Sequence, residues 1–174
     1  PVICVGNLST GGTGKTPMIE YLIRLLQSDK KVATLSRGYK RVTKGFLLAD
    51  ENVNVDMVGD EPFQFYNKFN EIYVAVDEDR QHGITELRSF EPQPEVVLLD
   101  DAYQHRKVKA GFNILLTSFY NLYVNDIVLP TGNLREPKLG ANRADIIVVT
   151  KCPNDLSEAK KTLILKKIRP KSHQ

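Results

Sequence analysis

The chain is poor in cysteine, has no long apolar run and carries no strong excess of charge. Its two cysteines, Cys4 and Cys152, are too few for a disulfide-stapled scaffold. Neither falls in a metal-ligand spacing, so a reducing compartment is the default. No stretch approaches about 18 apolar residues, which excludes a transmembrane helix within this sequence. There is no internal repeat and no low-complexity tract, and the composition excludes collagen and wholesale disorder. An initiator methionine, a signal peptide and a leading loop are missing too: Pro1 runs straight into strand-like sequence, and Lys171-Ser172-His173-Gln174 holds no obvious structural stop. We read the chain as a piece of a longer protein.

The 174 residues fit one domain, with at most the edge of a second. The net charge of +3 hides an asymmetry. Residues 160–174 hold Lys160, Lys161, Lys166, Lys167, Arg169 and Lys171 and no acid; the remainder has 18 basic against 21 acidic residues, net −3. The body therefore offers no basic surface for nucleic acid. The basic tail reads as a solvated helix face, with anionic head groups or phosphates as the other option.

Apolar spacing gives an alternating plan. Val2–Val5 reads as a buried strand, followed by a glycine-rich turn. Ile19, Leu22, Ile23 and Leu26 then mark one face of a helix, with Pro17 harmless in its first turn. Further strands are expected at Val32–Leu35, Ile72–Val76, Val96–Leu99, Asn113–Leu116 and Ile146–Val149, with part of a hairpin at Gly45–Ala49. Gly59-Asp60-Glu61-Pro62 predicts a helix start with Asp60 as N-cap. A helix is expected over 79–90 despite Gly83, and a long loop with a short helix at most over 117–144. Strands separated by helices imply parallel pairing: an α/β domain with a mostly parallel sheet flanked by helices in three layers.

The strongest chemical signal is Gly11-Gly12-Thr13-Gly14-Lys15-Thr16, between the first strand and the first helix. Glycines let backbone N–H groups turn into one concavity, and the helix N-terminus adds partial positive charge. In such a phosphate loop Lys15 would reach the β- and γ-phosphates and the Thr16 hydroxyl would ligate Mg²⁺. Gly-Lys-Ser/Thr alone arises by chance in roughly one chain in ten of this length, and two more glycines lower that about two-hundredfold. The fold class is therefore that of a P-loop NTPase, although Ser9 stands where the first motif glycine is expected.

Val96–Leu99 ends in Asp100-Asp101. An acid at the end of a neighbouring strand holds Mg²⁺ in phosphate-loop enzymes, and a cation offsets the repulsion of two adjacent carboxylates. Nearby His105 could shuttle protons, bond substrate or merely sit on the surface. Thr150-Lys151 is close to the Asn/Thr-Lys-x-Asp pattern that reads guanine, but Pro153 replaces the acid, which fits ATP better.

Six blocks then occur in one order: Val5 to Pro17, Leu35-Ser36-Arg37-Gly38-Tyr39, Gly59-Asp60-Glu61-Pro62, Leu99 to His105, Leu129 to Pro137, and Arg143-Ala144-Asp145. Together they resemble the tetraacyldisaccharide 4′-kinase family, the lipid A kinases of Gram-negative bacteria. Ser9 is normal in that family; Ala102 departs from its usual glycine. The resemblance implies transfer of the ATP γ-phosphoryl group to the 4′-hydroxyl of a lipid disaccharide. It implies that Ser9, Thr10, Gly11, Gly12, Thr13, Gly14, Lys15 and Thr16 hold the triphosphate, that Thr16, Asp100 and Asp101 hold Mg²⁺, and that Asp60 is the general base with Glu61 beside it. His105 joins the catalytic set. Ser36, Arg37, Tyr39, Gln104 and Arg135 become substrate candidates, with Arg143 a further phosphate contact.

The resemblance also implies an N-terminal membrane-associating segment and a C-terminal domain beyond this stretch. Residues 1–150 would be the nucleotide-binding kinase domain, and 151–174 the linker or start of the second. The parent would act at the cytoplasmic face of the bacterial inner membrane, with a lipid partner and no nucleic acid. Two alternatives remain at this level. One is a switch ATPase of the cell-division type, whose signature lysine is replaced here by Thr10; the other is a non-catalytic nucleotide-binding module.

Overall fold

The computed structural model describes all residues, 1–174. A seven-stranded sheet forms the middle layer, from β1 (Val2–Asn7), β2 (Val32–Ser36), β3 (Leu47–Leu48), β4 (Tyr73–Val76), β5 (Val96–Asp100), β6 (Phe112–Ser118) and β7 (Ile146–Thr150). Their order is β3-β4-β2-β5-β1-β6-β7. All neighbours are parallel except β3, which runs antiparallel to β4. The helices are α1 (Lys15–Leu26), α2 (Val55–Val58), α3 (Asp60–Lys68), α4 (Arg80–Arg88) and α5 (Glu158–Ile168).

Strands buried on both faces need continuous apolar runs rather than alternation. Alternate residues of one strand therefore feed two separate cores. Val5, Leu98 and Leu116 pack with Ile19 and Ile23 of α1 and Phe65 of α3 on one face. Cys4, Leu35 and Leu99 pack with Ile84 and Leu87 of α4 on the other. The buried Glu20 ties α1 to α3, accepting hydrogen bonds from Arg24 (3.0 Å), Gln64 (2.8 Å) and Lys68 (2.6 Å). Gly83 suits α4 because a Cβ there would sit 2.9 Å from the Leu35 methyls.

Two local expectations are corrected. Gly45–Ala49 is not part of a hairpin: Leu47 and Leu48 pair with Val76 and Ala75, because the free edge of β4 is the partner that covers these apolar side chains. Asp60 is not an N-cap. Gly59 holds that position at φ 90°, ψ 165°, and Asp60 is the first helical residue with no capping bond. Gly59 is required there for two reasons: the conformation is essentially glycine-only, and a Cβ would lie 2.9 Å from the Tyr39 carbonyl oxygen. Gly59→Ala should destabilise the fold by about 3 kcal/mol. A urea unfolding midpoint equal to that of the unaltered protein would contradict this reading of the junction between α2 and α3.

The long stretch after β6 holds only 3₁₀ turns, at Tyr123–Asn125 and Lys138–Arg143. Its Leu122, Tyr123, Leu134 and Ala141 cover the α4 face of the sheet. The basic residues of α5 are exposed, and its only buried side chain is Ile168. No helix is long and apolar enough to cross a membrane.

Candidate active site

Parallel strands place their carboxyl ends on one edge, where the crossovers leave a crevice. β1, β2, β4 and β5 end around a cleft of about 830 Å³ lined by charged and polar residues and glycine, with almost no hydrophobic side chain among them. It is lined by Gly11, Lys15 and Thr16 after β1, by Ser36, Arg37 and Tyr39 after β2, and by Glu78 and Arg80 after β4. Asp100 ends β5 and Asp101, Gln104 and His105 follow it, Glu61 comes from α3, and Arg135 from the loop after β6.

The phosphate loop is shaped by two left-handed glycines, Gly11 at φ 96° and Gly14 at φ 87°. Gly14 is the N-cap of α1. The amides of Gly11, Gly12, Gly14, Lys15 and Thr16 bond no backbone carbonyl, so they are free for an anion. Two other amides are committed: Thr10 N donates to Asn133 O at 2.7 Å and Thr13 N to Gly11 O at 3.1 Å. Ser9 is buried and bridges to Leu134. The hydroxyl residue in place of glycine thus sits where residues 8–10 run alongside 133–135.

Asn7, wholly buried at the end of β1, holds the loop from beneath. Its Nδ2 donates to Thr13 Oγ1 at 2.7 Å, and its Oδ1 accepts from Arg135. Arg135 also grips Asp101 with both terminal nitrogens, at 3.1 and 2.7 Å. Lys15 Nζ lies 3.7 Å from the same carboxylate.

The adjacent acids are driven apart in acidity. Burial, then the Asp101 charge, pushes Asp100 up to about 7. Burial would also raise Asp101, but the Arg135 hydrogen bonds and Lys15 outweigh it and hold that carboxyl below its ordinary range. Asp100 Oδ1 is buried without a hydrogen-bond partner. A buried carboxylate oxygen lacking a donor, beside Asp101 and in the same cleft as the Thr16 hydroxyl, fits a hard divalent cation.

His105 lines the cleft with its Nε2 buried and unpartnered, and burial, then Arg80, holds its imidazole below the ordinary range. Gln104 spends its amide on the Asn7 carbonyl (2.8 Å) and Glu136 (3.1 Å). Tyr39 stands exposed on the rim; Ser36 is buried, with an unpartnered hydroxyl. Asp60 is exposed at the start of α3 and is not among the cleft walls, whereas its neighbour Glu61 is. Arg143 lies outside the cleft: it bonds Glu136 at 3.0 and 2.8 Å and stacks over the Tyr103 ring at 4.6 Å.

Four site residues were missed in the sequence: Asn7, Glu78, Arg80 and Glu136. Arg80 is buried against the cleft, donating to the carbonyls of Asp77 (3.1 Å) and Glu78 (3.2 Å). Its place just past the end of β4 was the available signal. Glu136 is buried and accepts from Gln104, Arg106 and Arg143, pinning 104–106 to the loop that carries Arg135.

Burial would raise the Glu136 carboxyl, but bonds from Arg143 and Arg106 prevail and hold it below its ordinary 4.5. The folded chain therefore binds this proton less readily than the unfolded one. The stabilisation is complete above pH 4.5 and fades as pH falls through the lower folded-state value. Glu136→Gln should cost about 2 kcal/mol at pH 7, less than a deeply buried pair because Arg106 is largely exposed. Thermal melts of the two proteins should converge in acid; a constant gap down to pH 3 would remove Glu136 from this role.

The family model for tetraacyldisaccharide-1-P 4′-kinase matches residues 1–173. The chain belongs to this family. It is 66% identical over 169 residues to the tetraacyldisaccharide 4′-kinase of Flavobacterium johnsoniae, covering 97% of this chain and 50% of that protein. The Bacteroides fragilis enzyme is 55% identical, with 97% and 45% covered. The crystal structure of LpxK from Aquifex aeolicus in complex with ATP superposes with a TM-score of 0.80 at 43% identity, covering 91% of this chain and 50% of that one. The chain thus spans about half the length of the relatives it matches. The 4′-kinase likeness includes the mostly parallel three-layer fold, and with it the switch-ATPase alternative loses its support.

Proposed function

We propose that the full-length protein transfers the γ-phosphoryl group of ATP to the 4′-hydroxyl of a tetraacyldisaccharide 1-phosphate. One observation carries this reading: a loop with five unbonded amides shares a cleft with an acid pair at the end of the adjacent strand, and Lys15 of that loop lies 3.7 Å from Asp101. Similarity to 4′-kinases along the chain, and to a structure that holds ATP, supports the same assignment.

The free amides of Gly11, Gly12, Gly14, Lys15 and Thr16, with the Lys15 ammonium, hold the triphosphate and offset its charge. Thr16, Asp100 and Asp101 would hold Mg²⁺, which supplies charge neutralisation on the phosphate oxygens when bound. Arg135 fixes the direction of Asp101, and Asn7 fixes the loop. Asp60 takes the proton of the acceptor hydroxyl as its oxygen bonds to the γ-phosphorus and the bond to the ADP oxygen breaks. Its neighbour Glu61 and His105 line the cleft itself. Arg37, Ser36, Tyr39 and Gln104 line the side left for the sugar.

We read residues 1–150 as the nucleotide-binding unit and 151–174 as the connection to a further domain, in keeping with relatives about twice as long. A lipid acceptor and a cytoplasmic phosphoryl donor put the reaction at the cytoplasmic face of a bacterial inner membrane, reached through segments outside this chain. The test is label transfer from γ-labelled ATP to tetraacyldisaccharide 1-phosphate by the full-length protein. ATP hydrolysis indifferent to the lipid would overturn the kinase assignment.

A further inference from the structure

The phosphate loop has two flanks, and only one faces the acids. Gly11, Lys15 and Thr16 open into the cleft with Asp100 and Asp101. Gly12 and Gly14 face the end of β7 instead. A Cβ on Gly14 would lie 3.7 Å from Thr150 Cβ, and one on Gly12 would lie 3.8 Å from Lys151 Nζ. Thr150 Oγ1 donates to Thr13 O at 2.7 Å, so the turn after β7 is fastened to the loop. Lys151 adopts φ 57°, a region that disfavours side chains. The residue is exposed and makes no ion pair with a carboxylate.

Strand order sets the direction of a bound nucleotide. The phosphoryl end lies toward β5, where Lys15 meets Asp101. β6 and β7 stand on the opposite side of β1, so a nucleotide whose phosphoryl end meets those acids has Thr150-Lys151 on its other side. We propose that Lys151 is a nucleoside-binding residue, its stem covering the base and its ammonium reaching the ribose oxygens where they pass the Gly12 flank of the loop. This rests on the ATP-site reading above. Pro153 supplies no carboxylate for a base edge, so the contact is with the flat face and the sugar, which every purine nucleotide presents.

Calorimetry on the full-length protein tests this with two probes, MgATP and inorganic triphosphate with Mg²⁺. Lys151→Ala should weaken MgATP about tenfold and leave triphosphate within about twofold. KM for ATP should rise with little change in kcat or in KM for the lipid, and Lys151→Arg should restore most of the affinity. Unchanged MgATP binding in Lys151→Ala overturns the inference. So does equal weakening of both probes, which would put the lysine on the phosphates. Lys15→Ala should weaken both and marks that second pattern. If the unaltered protein binds neither probe, the ATP-site reading itself fails and takes this inference with it.

Discussion

Lys15→Ala in the full-length protein lowers kcat by about a thousandfold, with a smaller loss in ATP affinity. The ammonium lies 3.7 Å from the Asp101 carboxylate in the cleft that the loop opens into, where charge would build as the phosphoryl group moves. A donor placed there acts more strongly on the transition state than on bound ATP, so the loss falls mainly on turnover. The fold should hardly notice. Lys15 makes a single ion pair at 3.7 Å, and Asp101 keeps both Arg135 bonds without it. Steady-state kinetics and thermal melting check the two halves of this expectation. A loss of activity matched by a large drop in melting temperature would mean that Lys15 supports structure. Lys15→Arg should not rescue, because a planar fork cannot replace a compact ammonium beside a loop this tight.

Asp60→Asn leaves MgATP binding within about threefold and lowers kcat by roughly 10²–10⁴, the range for loss of a positioned base. The geometry makes the comparison with Glu61 informative. Asp60 is exposed at the first position of α3, whereas Glu61 lines the cleft. Should Asp60→Asn retain full turnover while Glu61→Gln loses it, the base is Glu61 and the Asp60 assignment is wrong. Should both lose it, α3 presents the acids as a pair, aimed by Gly59. Calorimetry with MgATP separates these outcomes from collapse of the nucleotide site.

The phosphate loop was legible because its chemistry is local. Six successive residues carry the dihedrals, the amides and the lysine, and the apolar run before them and the helical spacing after them fix their context. Asp100 and Asp101 were legible for the same reason, at the end of a four-residue apolar run. Local reading failed at Gly59-Asp60, where an acid in a helix's first turn resembled an N-cap. The choice was made by the Tyr39 backbone, close enough to exclude a Cβ at position 59. It failed at Gly45–Ala49 because the edge that captured Leu47 and Leu48 belongs to a strand some 27 residues further along. Arg80 and Glu136 gave no local sign, since an arginine at a helix start and a glutamate in a loop are ordinary surface residues until a fold buries them.

The amino-acid order alone determined the alternation of strands and helices and the anion-binding turn, because hydrophobic spacing and glycine dihedrals act over a few residues. Which carboxylate is clamped, which is left without a donor, and which lysine stands beside which flank of the loop were decided only when β5, β1 and β7 took their places in one sheet. Those properties depend on distances between groups as far as 137 positions apart, as with the Thr150 hydroxyl and the Thr13 carbonyl, and on burial that removes water from charged groups. Neither quantity is written in any short stretch of chain.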